Sequence, residues 1–184
     1  MDFNIFIKDI IEKGLIDTIG RQADVYVFTL DEKKYILKLY KDKYWFEGEI
    51  LMKVNHTNIV KCCGYGKYGS RVYLVLEYID GKKLDREMWN KPKEEYYSLN
   101  NRELFKNQLE SIRNYLSENQ IHHKEIRPGN ILVDKNGNLR LIDFGWASDE
   151  KYKFLPDTDF SMLNGEYSLI DLESFEKILR EMKE

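Results

Sequence analysis

The segment His123-Lys124-Glu125-Ile126-Arg127-Pro128-Gly129-Asn130 sets an acid and an amide on one stretch of chain. A second acid opens Asp143-Phe144-Gly145, after two short apolar runs joined by Asp134-Lys135-Asn136-Gly137. Asn and Asp oxygens are hard donors suited to Mg²⁺, which is commonly held by one or two side chains plus substrate phosphates. A hairpin between Asn130 and Asp143 would bring them together as a clamp for a metal-bound nucleotide. Glu125 could then orient an incoming hydroxyl, and Arg127 could sit on the transferring phosphoryl group.

The elements that must position these groups can be read from periodicity. Phe3, Phe6, Ile7, Ile10 and Ile11 recur at helical spacing, and Gly14 stops the run. Strands are expected at Val25–Phe28 and Tyr35–Tyr40, joined by a polar turn at Asp31-Glu32-Lys33. Helical spacing returns from Tyr44 to Val54, followed by strands near Ile59–Gly64 and at Val72–Leu76, with Gly81 breaking the pattern. A longer helix covers Asn100 to Ser117, with Leu104, Phe105, Leu109, Ile112 and Leu116 on one face. Ile131–Val133 and Leu139–Ile142 form a hairpin whose Asn136-Gly137 supplies positive φ angles. A loop from Ala147 to Glu166 and a last helix near Ile170–Met182 complete the chain. Strands gathered before helices predict an α+β fold, with two lobes and a boundary near Ile79–Leu84.

Composition narrows the classes. The 184 residues are 42% hydrophobic, 14% aromatic and 33% charged, which suits a single folded domain rather than a disordered chain. The net charge of −3 argues against a general nucleic-acid binder. Cys62 and Cys63 are neighbours and have no other cysteine to pair with, which suits a reducing compartment. His56, His122 and His123 have no ligand partner at zinc spacing. No apolar run approaches the ~20 residues of a spanning helix, and the start of the chain does not resemble a signal peptide. A soluble cytoplasmic protein is expected.

The chemistry-bearing stretch resembles the catalytic loop and metal motif of the protein-kinase-like superfamily, H-R-D-x-x-x-x-N followed by D-F-G. Asn130 and Asp143-Phe144-Gly145 match that pattern. Pro128-Gly129-Asn130 is also similar to aminoglycoside phosphotransferases, and the wider run to bacterial kinases acting on cell-surface sugars. The resemblance implies a bilobal fold: a β-rich N-lobe to about residue 78, a hinge at about 77–84, and a reduced, mainly helical C-lobe from about 85 to 184. It implies ATP with Mg²⁺, or Mn²⁺, as cofactors, Asn130 and Asp143 as metal ligands, and a protein Ser/Thr or sugar-like hydroxyl as acceptor. Lys38 matches the strand lysine on the α/β-phosphates, and Glu47 its helical partner, with Glu49 as competitor. Gly20 and Ala23 match a degraded glycine-rich loop. Val25, Ile36, Leu76, Leu132 and Ile142 would enclose adenine, with the backbone of Glu77 and Ile79 bonding its edge. Asp171 matches the residue that braces the catalytic loop from behind.

Two departures bear on activity. Glu125 stands where the family has Asp, moving a carboxylate by roughly one C–C bond, ~1.5 Å. This leaves either an enzyme or a nucleotide-binding pseudokinase with a scaffold role. Lys124 replaces the Arg of the pattern, and no A-P-E tripeptide follows, so regulation by loop phosphorylation is not expected.

Overall fold

The computed structural model describes residues 3–19, 22–41, 46–84, 99–151, 173–178 and 180. The chain forms two compact units, Met1–Val54 with Lys61–Tyr78, and Asn55–Val60 with Ile79–Glu184.

The first unit contains α1 (Phe3–Lys13), β1 (Leu15–Ile19), β2 (Ala23–Leu30), β3 (Lys33–Tyr40), α2 (Glu47–Leu51), β4 (Cys62–Tyr68) and β5 (Arg71–Glu77). The strands pair antiparallel in the order β1-β2-β3-β5-β4. Strand alternation divides their side chains between two faces. Tyr26, Phe28, Leu37, Leu39 and Tyr73 form one apolar cluster, which Ile7 and Ile10 of α1 cover. Phe6 meets Phe28 edge-on at 5.9 Å, and Tyr35 stacks on Phe28 at 5.5 Å. Each such buried side chain contributes ~1.5–3 kcal/mol relative to exposure. The other face carries cross-strand rows: Val25, Lys38 and Leu74 in one, Val27, Ile36 and Leu76 in the next.

The second unit contains β6 (Gly81–Lys83), α3 (Leu99–Glu118), a 3₁₀ turn (Pro128–Asn130), β7 (Ile131–Asp134) and β8 (Leu139–Leu141). Its sheet has the order β6-β7-β8. Phe105, Leu109, Ile112 and Leu116 of α3 are buried with Ile131, Leu139, Leu141 and Phe144. Leu104, placed on that same face by the sequence reading, is 39% exposed. The helix expected near the end of the chain is seen as helical residues at 173–178, with Phe175 and Ile178 buried.

Several expected boundaries shift for physical reasons. Ile59 and Val60 do not open β4. They are buried against β8, where Ile59 bridges Leu141 and the Val60 N–H donates to the Leu141 carbonyl at 2.9 Å. Asn58 assists by donating its side-chain amide to the Leu139 carbonyl at 2.9 Å. Helix α2 ends at Leu51 rather than Val54, because Lys53 and Val54 tighten into bonds to Ile50 and Leu51. β1 and β6 were not anticipated. Gly81 is not a break: a Cβ there would lie 2.6 Å from the Val133 carbonyl oxygen, so its bareness lets β6 pair closely with β7. Only Gly137 of the β7–β8 turn has a positive φ; Asn136 does not, and the Asp134 carboxylate instead accepts the Asn136 and Asn138 N–H groups at 2.9 Å. Cys62 is buried and Cys63 exposed, both as free thiols, where the β4–β5 register slips. Gly20, Asp171 and most of the loop expected from Ala147 to Glu166 lie outside the described residues.

The β2–β3 turn consists of Asp31 at φ 48° and Glu32 at φ 64°. Each L-residue in this region costs about 1–2 kcal/mol, and Asp tolerates it better than Glu. Glu32→Gly should therefore stabilise the protein by about 0.5–1 kcal/mol, after the glycine's extra chain entropy is subtracted. Urea denaturation checks this; a lower midpoint would show that the turn is not strained.

Candidate active site

In the first unit, Lys38 leaves the β3 face opposite α1. Its Nζ lies 2.7 Å from Glu47 Oε2, with the two side chains 14% and 0% exposed. The Tyr40 hydroxyl donates to the same oxygen. Glu47 opens α2, and Glu49, its competitor, turns elsewhere and keeps one buried oxygen without a hydrogen-bond partner. Helix α2 is seated tightly on β4: a Cβ on Gly48 would come 2.5 Å from Tyr65 Cγ. Ala23 and Leu76 are buried on the Lys38 face, whereas Val25 and Ile36 are half-buried there. The Glu77 N–H is engaged with the Lys61 carbonyl at 3.1 Å.

In the second unit, the β7–β8 register pairs Ile131 with Leu141. The hairpin therefore opens toward Asn130 on one side and Asp143 on the other. The Ile142 N–H donates to the Asn130 carbonyl at 2.9 Å, closing that end. Asn130, 3% exposed, donates its side-chain amide to the Glu125 carbonyl at 2.9 Å. The loop between them is thus tied across its own width. Glu125 and Asp143 are half-buried, Arg127 is exposed, and Leu132 and Ile142 are half-buried, as is Ile79.

His123 holds the loop from beneath. It is fully buried, and its Nδ1 accepts the Glu125 N–H at 3.2 Å. The proton therefore sits on Nε2, which donates to the Ile142 carbonyl at 3.1 Å. Its ring meets Phe144 edge-on at 4.5 Å. Lys124 and Asp143 flank this arrangement at φ 67° and 65°. Sequence reasoning gave His123 no role; its signal was the imidazole two residues before the acid. Tyr40 was missed as well, being read as an ordinary strand residue.

Residues 22–160 match the protein kinase domain. The chain belongs to the protein kinase family. Aurora kinase A-A of Xenopus laevis is 31% identical over 140 residues, covering 70% of this chain and 34% of that protein. Sperm motility kinase 1 of Mus musculus is 37% identical over 117 residues, covering 60% of this chain and 23% of that protein. Aurora kinase C of Mus musculus is 29% identical over 140 residues, covering 70% of this chain and 50% of that protein. The chain thus spans half or less of the length of each of these relatives. Among the described residues of this kinase domain, no helix is long and apolar enough to cross a membrane.

The buried pair makes a stability prediction. Removing one partner of a buried ion pair costs about 3–5 kcal/mol, since the other charge stays desolvated. Lys38→Met should destabilise the protein by about 3 kcal/mol, and adding Glu47→Gln should recover most of that loss. Denaturation of both variants would expose the coupling; purely additive losses would mean that Glu47 is not charged against Lys38.

Proposed function

We propose that this chain transfers the γ-phosphoryl group of ATP to a Ser or Thr hydroxyl of a protein. The observation that carries the reading is the bond from the Ile142 N–H to the Asn130 carbonyl, which joins the catalytic-type loop to the hairpin end bearing Asp143. The match to a protein kinase domain favours a protein acceptor over a sugar-like one.

The residues fit a divalent cation. The Asn130 amide nitrogen is spent on the Glu125 carbonyl, so the amide presents its oxygen as the ligand atom. With the Asp143 carboxylate this makes a hard oxygen pair of the kind Mg²⁺ or Mn²⁺ takes. The metal, when bound, neutralises charge on the phosphates. Lys38, held by Glu47, is assigned to the α/β-phosphates, Arg127 to the transferring group and Glu125 to the acceptor hydroxyl. Ala23, Val25, Ile36, Leu76, Leu132 and Ile142 are assigned to the adenine, with Gly20 to the phosphate loop. The backbone of Glu77 and Ile79 is assigned to the base edge, with the Glu77 N–H engaged by the Lys61 carbonyl. Two free thiols support a reducing, cytoplasmic setting.

Glu125 also favours a second reading, a nucleotide-binding pseudokinase. A group misplaced by about 1 Å can cost ~10²-fold in rate. Labelled-ATP transfer into separated protein and small-molecule fractions of a lysate distinguishes the two. Label should enter protein, fall at least ~10²-fold in Asp143→Ala, and persist in the surface variant Glu118→Ala. Glu125→Ala should lose activity comparably. An unchanged rate in Glu125→Ala, with a sharp gain in Glu125→Asp, would establish the pseudokinase reading instead.

A further inference from the structure

We propose that Tyr40 is a positioning residue whose buried hydroxyl fixes the Glu47 carboxylate in the orientation that aims Lys38. Its consequence for ATP rests on the reading above; its geometric part does not.

Tyr40 lies two residues after Lys38 on β3, so both side chains leave the same face of the strand. Its hydroxyl and the Lys38 ammonium converge on one oxygen, Glu47 Oε2. The ammonium also lies 5.4 Å from the Tyr40 ring centroid. The Glu47 side chain is 0% exposed, so solvent does not substitute for a lost donor. Tyr40 is itself only 2% exposed.

Helix α2 is seated on β4 at Gly48, but its own short backbone does little to orient the Glu47 carboxylate. It has five residues, and Phe46 supplies no side-chain cap. So short a helix has little intrinsic stability, and its place depends on what its side chains grip. Tyr40, by contrast, is anchored. Arg71 donates to the Tyr40 carbonyl at 2.8 Å and the Leu39 carbonyl at 2.7 Å, and is braced by Asp24 at 2.8 Å. The Arg71 hydrogen bond holds the Asp24 carboxyl below its usual range, so the brace is charged at neutral pH. Burial and the Glu47 charge keep the Tyr40 phenol well above its usual range, so it remains a donor. The strand end is the fixed part, and the tyrosine transmits that fixity to the carboxylate.

The test uses the full chain labelled with ¹⁵N-lysine. The Lys38 ζ-ammonium signal is assigned by its loss in Lys38→Arg. Tyr40→Phe, which keeps the ring, should accelerate proton exchange at Lys38 by about tenfold, as expected for losing one hydrogen bond to a charged group. It should raise the KM for ATP by a similar factor while kcat stays within about twofold. An unchanged Lys38 signal in Tyr40→Phe overturns the proposal. A loosened signal in a protein that neither binds nor turns over ATP upholds the positioning role and defeats the nucleotide reading. If Tyr40→Phe does not fold, the wild-type Tyr40 hydroxyl proton decides. Slow exchange that is lost in Glu47→Gln supports the proposal, and rapid exchange in the wild type overturns it.

Discussion

A carboxylate with no exposed surface is costly to bury unless donors surround it. Glu47 is such a group, and the arrangement of the first unit follows from that constraint. Lys38 supplies charge, Tyr40 supplies a neutral donor, and both come from one strand. β3 is central in the sheet and hydrogen-bonded on both edges, so both donors come from a strand held on two sides. Gly48 lets α2 approach β4 until its backbone nearly touches Tyr65, which brings the acid within reach of the lysine. Packing and electrostatics therefore select the same helix position.

The second unit solves a different problem, since its functional candidates sit on a loop. Loops carry backbone polar groups that need partners. Here His123 bonds the Glu125 N–H and the Ile142 carbonyl, while Asn130 bonds the Glu125 carbonyl. Side chains thus do for this loop what strand pairing does for a sheet. The positive φ of Asp143 is tolerable for an Asp, and the neighbouring hairpin and buried Phe144 hold it in place.

The candidate site residues stand out in the sequence because their types are chemically demanding. An acid, an amide and a second acid around a hairpin admit few readings. Glu47, matched ahead of Glu49 to the partner of Lys38, is the acid that the structure pairs with that lysine. Elements with strong periodicity, α1, α3 and the β2–β3 pair, were also readable. β1 and β6 were not, because their identity lies in their pairing partners: Gly81-Lys82-Lys83 has no alternation and becomes a strand by bonding β7. Ile59 and Val60 misled for a related reason. Their apolar character marks burial, but periodicity does not say against which unit. Tyr40 escaped notice because an aromatic residue ending a strand normally signals core, and its hydroxyl gains meaning only from the acid opposite.

Helix α1 has a practical consequence for anyone preparing shortened forms of the protein. It shelters Tyr26, Phe28, Leu37, Leu39 and Tyr73, a cluster drawn from three strands. Trimming the chain to begin at β1 would lay that greasy surface bare to water while sparing the lysine on the reverse side. Poor behaviour of such a fragment in solution would then reflect a missing cover rather than a disturbed Lys38–Glu47 pair.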